Sequence, residues 1–291
     1  MKVGLSLPQA PVDGGATWTD ILALARQAED GGADSLWVCD HFLSRSGDGP
    51  ETGYHEAWTL LAALAASTRT VELGPLVVAS SFRSPGLLAK MAATLDDVSG
   101  GRLILGLGCG WHEPEYAAFG YPFDHRVGRF EEALRIVRPL LRGERVTVAG
   151  TWNRLDDAVL LPPPARPIPI VVAADGDRML RITAAHADGW QTAWFGLPDA
   201  RFERDRQRLT DACGAAGRSG LPEILVGLEV ADGGDPDEPH VALDPSAIEA
   251  ALVAWAATGA EHVQLGVWPA TPASFGIALD GIGRFKASAA S

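Results

Sequence analysis

The strongest constraint on the fold is an alternation of short apolar runs with segments whose apolar residues recur at helical spacing. Continuous apolar runs are typical of buried parallel strands, and a period of about 3.6 residues is typical of the helices that cover them. The predicted strands cover residues 3–7, 35–39, 71–79, 103–107, 170–173, 189–192, 224–230 and 263–267. The predicted helices are one capped by Thr17 and those at 57–66, 85–98, 129–141, 177–187, 200–216, 248–257 and 275–285. Eight strands alternating with eight helices predict an α/β fold, a (β/α)8 TIM barrel, with an open doubly wound sheet as the alternative.

Two connections are longer than the others. Residues 109–125 follow the fourth predicted strand, and residues 143–169 follow the next helix. Connections of this length usually carry function or an insertion. No change in composition along residues 1–291 resembles a linker. We therefore expect a single TIM-barrel domain with extra loop segments after strand 4.

The composition argues against nucleic acid and membranes as partners. A net charge of −13 has the sign opposite to that of a typical nucleic-acid binder. No apolar run resembles a membrane span or the core of a signal peptide. Three widely spaced cysteines give no zinc framework and fit a reducing compartment. We therefore expect a cytoplasmic protein.

The stretch Asp96–Tyr116 concentrates the unusual residues of the chain. Gly100 and Gly101 predict a helix end with positive φ angles. Glycine then alternates along the next strand, at Gly106, Gly108 and Gly110, which removes the side chains from one face. That pattern predicts either a surface for a flat or bulky group or a tightly packed barrel corner.

The titratable candidates follow the ends of predicted strands, where barrels of this type place their active sites. His41 can donate a hydrogen bond or a proton to a bound ring or carbonyl group, and Asp40 can cap a loop or contact a cofactor. The alternative is a strand-end turn with a satisfied histidine. His112, Glu113 and Glu115 are a weak metal pattern, because no second histidine stands at i+4 and Pro114 is expected to interrupt a helix. We expect no metal site.

The segment 173–179 leads into a predicted helix, and the N–H groups of a helix start can bind phosphate. Asp175 and Asp177, however, would cap that helix and repel a phosphate group. Arg126 and Arg129 could also bind phosphate, although pairing with Glu131 or Glu132 along a helix is the preferred interpretation.

Several motifs occur together in one order. They are Ser35–His41, Leu88–Asp96, Ser99–Leu103, Gly106–Tyr116, and Phe119–Phe123 followed by Arg126 and Arg129. Together they resemble the bacterial luciferase-like monooxygenase superfamily, in particular its branch of coenzyme F420-dependent oxidoreductases. The resemblance covers residues 1 to 195, and the remainder of the chain is compatible with it.

The resemblance implies a flavin or deazaflavin at the carboxyl-terminal face of the barrel, with its ring over the glycine-rich strand ends. It implies that His41 is the catalytic residue beside the reacting ring, and that Leu76–Val77 is a cis peptide in a bulge. The cofactor-binding positions that it implies are Asp40, Leu76, Val77, Ala79, Gly108 and Trp111, with Ala173, Ala174, Asp175 and Gly176 at the phosphate loop.

The function implied is hydride transfer between coenzyme F420 and a small-molecule substrate. One alternative is an FMNH2-dependent two-component monooxygenase that uses O2. Another is a binding protein that has lost its cofactor, because the phosphate loop lacks the family's usual glycines. The implied partners are a flavin or F420 reductase that supplies reduced cofactor and a second copy in a homodimer.

Overall fold

A computed structural model of the chain describes residues 1–10, 17–45, 51–233 and 239–289. The strands are β1 (Lys2–Ser6), β2 (Ser35–Val38), β3 (Leu43–Ser44), β4 (Thr52–Gly53), β5 (Glu72–Pro75), β6 (Val78–Ala79), β7 (Leu105–Gly108), β8 (Val146–Ala149), β9 (Arg154–Ala158), β10 (Ile170–Ala173), β11 (Gly189–Phe195), β12 (Glu223–Ala231), β13 (Val241–Ala242) and β14 (His262–Trp268). The helices are α1 (Trp18–Asp30), α2 (Ala57–Ser67), α3 (Pro85–Ser99), α4 (Glu113–Phe119), α5 (Arg126–Leu141), α6 (Asp177–His186), α7 (Ala200–Ala215), α8 (Pro245–Ala257) and α9 (Pro272–Ala289).

Nine parallel strands of the described residues form a nearly closed barrel, in the order β5-β2-β1-β14-β12-β11-β10-β7-β6. A parallel bridge joins Leu73 of β5 to Leu103, which precedes β7 in the chain. Strands β5 and β6 follow one another at the third barrel position, separated by a cis peptide at Leu76–Val77. The predicted (β/α)8 TIM barrel is therefore confirmed, with its third strand split in two.

Local sequence signals set most helix ends as predicted. Thr17 accepts the backbone N–H of Asp20 at the start of α1, and Pro85 occupies the first turn of α3. Gly100 and Gly101 have φ angles of 71° and 84° at the end of α3. None of the helices in the described part of the chain combines the length and the apolar character needed to cross a bilayer.

The long connections contain regular structure that the sequence did not predict. Pro114 does not interrupt a helix, so that expectation was wrong. It lies in the first turn of α4, where its missing N–H leaves no hydrogen bond unmade. Strands β8 and β9 form an antiparallel hairpin after α5. The charged and largely exposed residues of β9 resemble a loop in the sequence.

The inside of the barrel is filled by a small cluster of apolar side chains, Trp37, Ile104, Val171 and Leu225. The indole of Trp37 fits because its neighbours on adjacent strands lack side chains. A Cβ atom on Gly74 would lie 2.3 Å from the Trp37 ring, and one on Gly4 would lie 2.8 Å from its Nε1. The barrel around Trp37 is thus a packed core.

The glycine face of β7 is occupied by the protein itself. A Cβ atom on Gly106 would lie 2.2 Å from the Pro75 carbonyl oxygen, and one on Gly108 would lie 2.8 Å from Cγ2 of Val77. Of the two predicted explanations, the geometry at these positions corresponds to a tightly packed barrel corner. The glycines make room for the bulge between β5 and β6.

We predict that Gly106→Ala lowers the free energy of unfolding by about 1–3 kcal/mol, because the added methyl group meets a backbone oxygen that cannot move aside. Urea unfolding followed by circular dichroism measures the change. The matched control is Gly214→Ala in α7, where no heavy atom lies within 4 Å of the added Cβ. Its helix propensity should raise stability by about 0.5–1 kcal/mol. Equal stability of the Gly106→Ala variant and the wild type would contradict the packing described.

Candidate functional site

A cavity of about 340 Å³ opens at the carboxyl-terminal ends of the barrel strands. Its wall consists of Ser6, Leu7, Pro8, Gln9, Trp37, Val38, Cys39, His41, Tyr54, Leu76, Trp111, Trp194, Glu229, Gly266, Val267, Trp268 and Ala270. These residues come from the ends of β1, β2, β4, β5, β7, β11, β12 and β14 and from the segments that follow them. A concave, mostly apolar site with a few polar groups is typical of a small-molecule pocket.

His41 is held in this wall by a buried carboxylate. Its Nδ1 lies 2.9 Å from Oε1 of Glu115, and Glu115 is only 1% exposed. The other oxygen of Glu115 accepts the backbone N–H of Phe42 at 3.0 Å. Because a carboxylate accepts hydrogen bonds, Nδ1 carries a proton, and Nε2 is the ring nitrogen left to meet a ligand.

Aromatic rings surround His41 on its other sides. The ring centroids of Trp111 and Tyr54 lie 5.6 Å and 5.7 Å from that of His41. His112 is buried and accepts the backbone N–H of Arg45 at 3.1 Å through Nε2. It therefore anchors the chain after β3. Among the described residues, no cluster of three or more His, Cys, Asp or Glu side chains could hold a metal ion.

Asp40 lies behind the cavity wall. Its carboxylate makes a bidentate ion pair with Arg83, at 2.7 and 2.9 Å, and accepts the backbone N–H of Ala79 at 3.1 Å. Arg83 also reaches Glu56 at 2.6 Å. Burial raises the pKa of Asp40 to about 6, although the Arg83 guanidinium opposes the shift. Asp40 thus fastens the end of β2 to β6.

Some of the residues expected near the cofactor ring line the cavity, and the others pack within the barrel wall. Leu76 and Trp111 line the cavity. Val77 packs against the glycines of β7, and Ala79 and Gly108 pair with each other in the barrel ladder. The expected cis peptide at Leu76–Val77 is present, and another non-prolyl cis peptide, not predicted, joins Ala193 and Trp194.

The segment Ala173–Gly176 leads from β10 to α6, away from the His41 cavity. Gly176 is the N-cap residue of α6, and no side chain caps the helix. The Asp177 carboxylate instead accepts a hydrogen bond from Arg208 at 2.6 Å, which lowers its pKa. Arg208 also donates to the Asp175 carbonyl oxygen at 2.9 Å. The expected capping by these two aspartates is therefore not made, and one of the two charges is neutralised.

A second, basic cavity of about 400 Å³ lies beside the first turn of α6. Its wall consists of Phe123, His125, Arg126, Val127, Gly128, Trp152 and Arg178. The N-terminus of α5 opens here, and its N-cap residue makes no side-chain cap either. Two helix starts and two arginines give this cavity a positive character.

The expected pairing of Arg126 and Arg129 with Glu131 or Glu132 is wrong. Arg126 donates to the Gly110 carbonyl oxygen at 2.6 Å, and Arg129 pairs with Asp124. The glutamates are engaged by other groups, since Arg135 and Arg178 pair with Glu131 and the backbone of residues 151–153 donates to Glu132.

Sequence reasoning missed two acidic residues of the site. Glu115 was considered only as a weak metal ligand, because α4, which carries it beneath His41, was not predicted. Glu229 lies in the cavity wall. Its signal was present in the sequence, since it is a charged residue inside the apolar run Ile224–Val230.

We predict that Arg83→Met lowers the free energy of unfolding by about 3–5 kcal/mol at pH 7, because it leaves Asp40 as an unpaired buried charge. The loss should shrink as the pH falls, since an unpaired buried carboxyl group is most stable when protonated. The double variant with Asp40→Asn should lose less than Arg83→Met alone.

Urea unfolding between pH 5 and 8 is the measurement for this prediction. Arg45→Met is the matched control. It breaks an exposed pair with Glu51, whose loss should cost less than about 1 kcal/mol. The role given to the Asp40–Arg83 pair would be contradicted if the two substitutions lowered the free energy of unfolding additively, and by amounts that do not change with pH.

Comparison with known proteins agrees with this architecture. An F420-dependent glucose-6-phosphate dehydrogenase from Amycolatopsis mediterranei is 34% identical over 175 residues, which are 59% of this chain and 52% of that protein. The chain thus spans about half the length of this curated relative. Solved structures with the same fold include an F420-dependent secondary alcohol dehydrogenase, 19% identical with a TM-score of 0.81 over 97% of both chains.

A monooxygenase from Streptomyces bottropensis is 26% identical, with a TM-score of 0.79 over 99% of this chain and 98% of that one. The family model described as luciferase-like monooxygenase matches residues 1–267, which is most of the chain. The protein therefore belongs to the luciferase-like monooxygenase family.

Proposed function

We propose that this protein is an oxidoreductase that transfers hydride between coenzyme F420 and a small organic substrate. The observation that carries the proposal is His41, fixed by the buried carboxylate of Glu115 in the wall of an aromatic cavity at the carboxyl ends of the barrel strands. The F420-dependent dehydrogenase among the curated relatives supports F420 as the cofactor.

The residues present fit a cofactor with a flat ring and an anionic tail. Leu76 and Trp111 would hold the ring in the His41 cavity, which offers flat apolar walls. The segment Ala173–Gly176 would hold a phosphate group at the uncapped start of α6, where Arg208 neutralises Asp177. The cofactor, when bound, supplies the site that accepts or releases hydride.

The protein's own residues would position the substrate and handle the proton. His41 would donate a hydrogen bond from Nε2 to the substrate oxygen when both ring nitrogens are protonated, and accept one from a hydroxyl group when it is neutral. Glu115 would keep the ring in one orientation in both states, as a buried acidic partner does for other catalytic histidines. The aromatic walls would exclude water from the reacting atoms.

The second candidate is an FMNH2-dependent monooxygenase that uses O2. The likeness to a monooxygenase along nearly the whole chain favours it. The third candidate, a barrel without cofactor, rested on the altered loop at Ala173–Gly176. The uncapped helix start and the Asp177–Arg208 pair argue against that candidate, since the anion-binding groups of α6 stay accessible.

We predict that the protein binds F420 with micromolar affinity and FMN at least ~10-fold more weakly, as measured by fluorescence titration. Gly176→Glu should weaken F420 binding by at least ~10-fold, because it adds a negative charge at the helix start that would face the phosphate group. Gly214→Glu adds the same charge on α7 and is the control. Tighter binding of FMN, or equal F420 affinity of both variants, would contradict the assignment.

We predict that His41→Ala lowers kcat at least ~100-fold, the usual size of a general-acid effect. It should leave F420 affinity unchanged, because the anionic tail is bound elsewhere. Anaerobic reaction of F420H2 with the fastest ketone of a substrate screen gives the rate. Glu115→Gln should retain part of the rate and change its pH profile, since a neutral amide still hydrogen-bonds to His41 but no longer stabilises its charged form. An unchanged kcat for His41→Ala would remove that residue from the mechanism.

A further inference from the structure

We propose that the substrate is an uncharged, largely apolar alcohol or ketone, and that phosphorylated sugars are excluded. The inference rests on the proposed function and concerns the same cavity. It distinguishes this chain from the relative whose name gives glucose 6-phosphate as the substrate.

The wall of the His41 cavity offers little to a polar substrate. Eleven of its seventeen residues are apolar or glycine. The remaining six residues are polar, and among them the side-chain amide of Gln9 already has hydrogen-bond partners within the protein. Its amide nitrogen donates to the carbonyl oxygens of Cys39 and His55, and its oxygen accepts the Cys39 N–H. The other polar side chains of the wall are those of Ser6, Cys39, His41, Tyr54 and Glu229.

A phosphate dianion needs cationic side chains or several N–H donors. No lysine or arginine is present among the described residues that line the cavity. The three lysines of the chain are engaged elsewhere: Lys2 with Glu72, Lys90 with the Leu161 carbonyl, and Lys286 with Asp34.

Three arginines that lie close in sequence to residues of the wall are engaged as well. Arg45 pairs with Glu51, Arg83 with Asp40 and Glu56, and Arg201 donates to the Trp194 carbonyl. The segments 11–16, 46–50 and 234–238 lie outside the described residues, and their sequence contains neither lysine nor arginine.

Among the described residues that line the cavity, Glu229 carries the one carboxyl group, which in its ionised form would repel a phosphate group. An Oε2 atom of Glu229 lies 3.3 Å from where a Cβ of Gly266 would stand, so the carboxylate lies over that glycine. Glu229 also has an interaction within the protein.

Three exposed tryptophans line the cavity. Trp111 is 69% exposed, and Trp194 and Trp268 are each 40% exposed. Large aromatic side chains are costly to leave in water, and together they present an apolar rim that an uncharged molecule can cover. With His41 as the hydrogen-bonding group, the site fits a molecule with one oxygen on an apolar frame.

The experiment compares two alcohols with the F420-loaded protein. Oxidised F420 is incubated anaerobically with cyclohexanol or with glucose 6-phosphate, and cofactor reduction is followed by absorbance. In either case the alcohol carbon loses hydride to F420, and the hydroxyl proton is released. We expect kcat/KM for cyclohexanol to be at least ~100-fold higher, because like charges in a closed site are strongly disfavoured. Glu229→Arg should reduce the ratio of the two kcat/KM values, because it adds a cation to the cavity wall. Glu229→Gln adds no cation and should retain most of that ratio.

A binding measurement gives a readout that does not depend on turnover. Saturation-transfer NMR with the protein alone should detect cyclohexanol and not glucose 6-phosphate. Binding or turnover of glucose 6-phosphate at a comparable level would overturn the inference while leaving the proposed cofactor intact. Tighter binding of benzyltrimethylammonium would overturn it in favour of a cationic substrate. Absence of F420 binding would count against the proposed function, and the NMR comparison would still decide the preference of the cavity.

Discussion

The candidate site depends on one buried carboxylate. Glu115 accepts a hydrogen bond from the His41 ring and another from the Phe42 backbone. It lies on α4, in the insertion after the fourth barrel position, whereas His41 follows the second. The contact therefore ties the insertion to the barrel at the same point where it sets the ring orientation. A carboxylate buried this completely is tolerable only because both oxygens are engaged by donors.

The same face of the barrel separates two kinds of environment. Around His41 the wall is aromatic and apolar, and it lacks lysine and arginine among the described residues. Beside α6 and α5 the helix starts are uncapped, and Arg126 and Arg178 line a basic cavity. An anionic cofactor tail fits the second environment, and an uncharged ring and substrate fit the first. This division of charge explains how a chain of net charge −13 could hold a phosphate group without placing a cation at the reacting atoms.

Much of the fold was predictable, because strand and helix periodicity are local properties and the alternation leaves few architectures. His41 was found by its place after a strand, and Glu229 could have been found as a charge in an apolar run. Other features depend on partners distant in sequence. Asp40 turns inward because Arg83, 43 residues later, neutralises it. The carboxylate of Asp177 does not cap α6, because it accepts a hydrogen bond from Arg208. The glycines of β7 leave room for the bulge between β5 and β6, and the sequence of β7 alone does not indicate that bulge.

The most direct test of the account is the oxygen dependence of turnover. F420H2 and a ketone substrate would be mixed with the protein in the strict absence of O2 and again in air, and cofactor oxidation and alcohol formation would be quantified. Hydride transfer predicts one alcohol per cofactor oxidised, at the same initial rate in both conditions. Turnover that stops without O2, or that yields an oxygenated product only in air with FMNH2, would contradict the account and identify a monooxygenase.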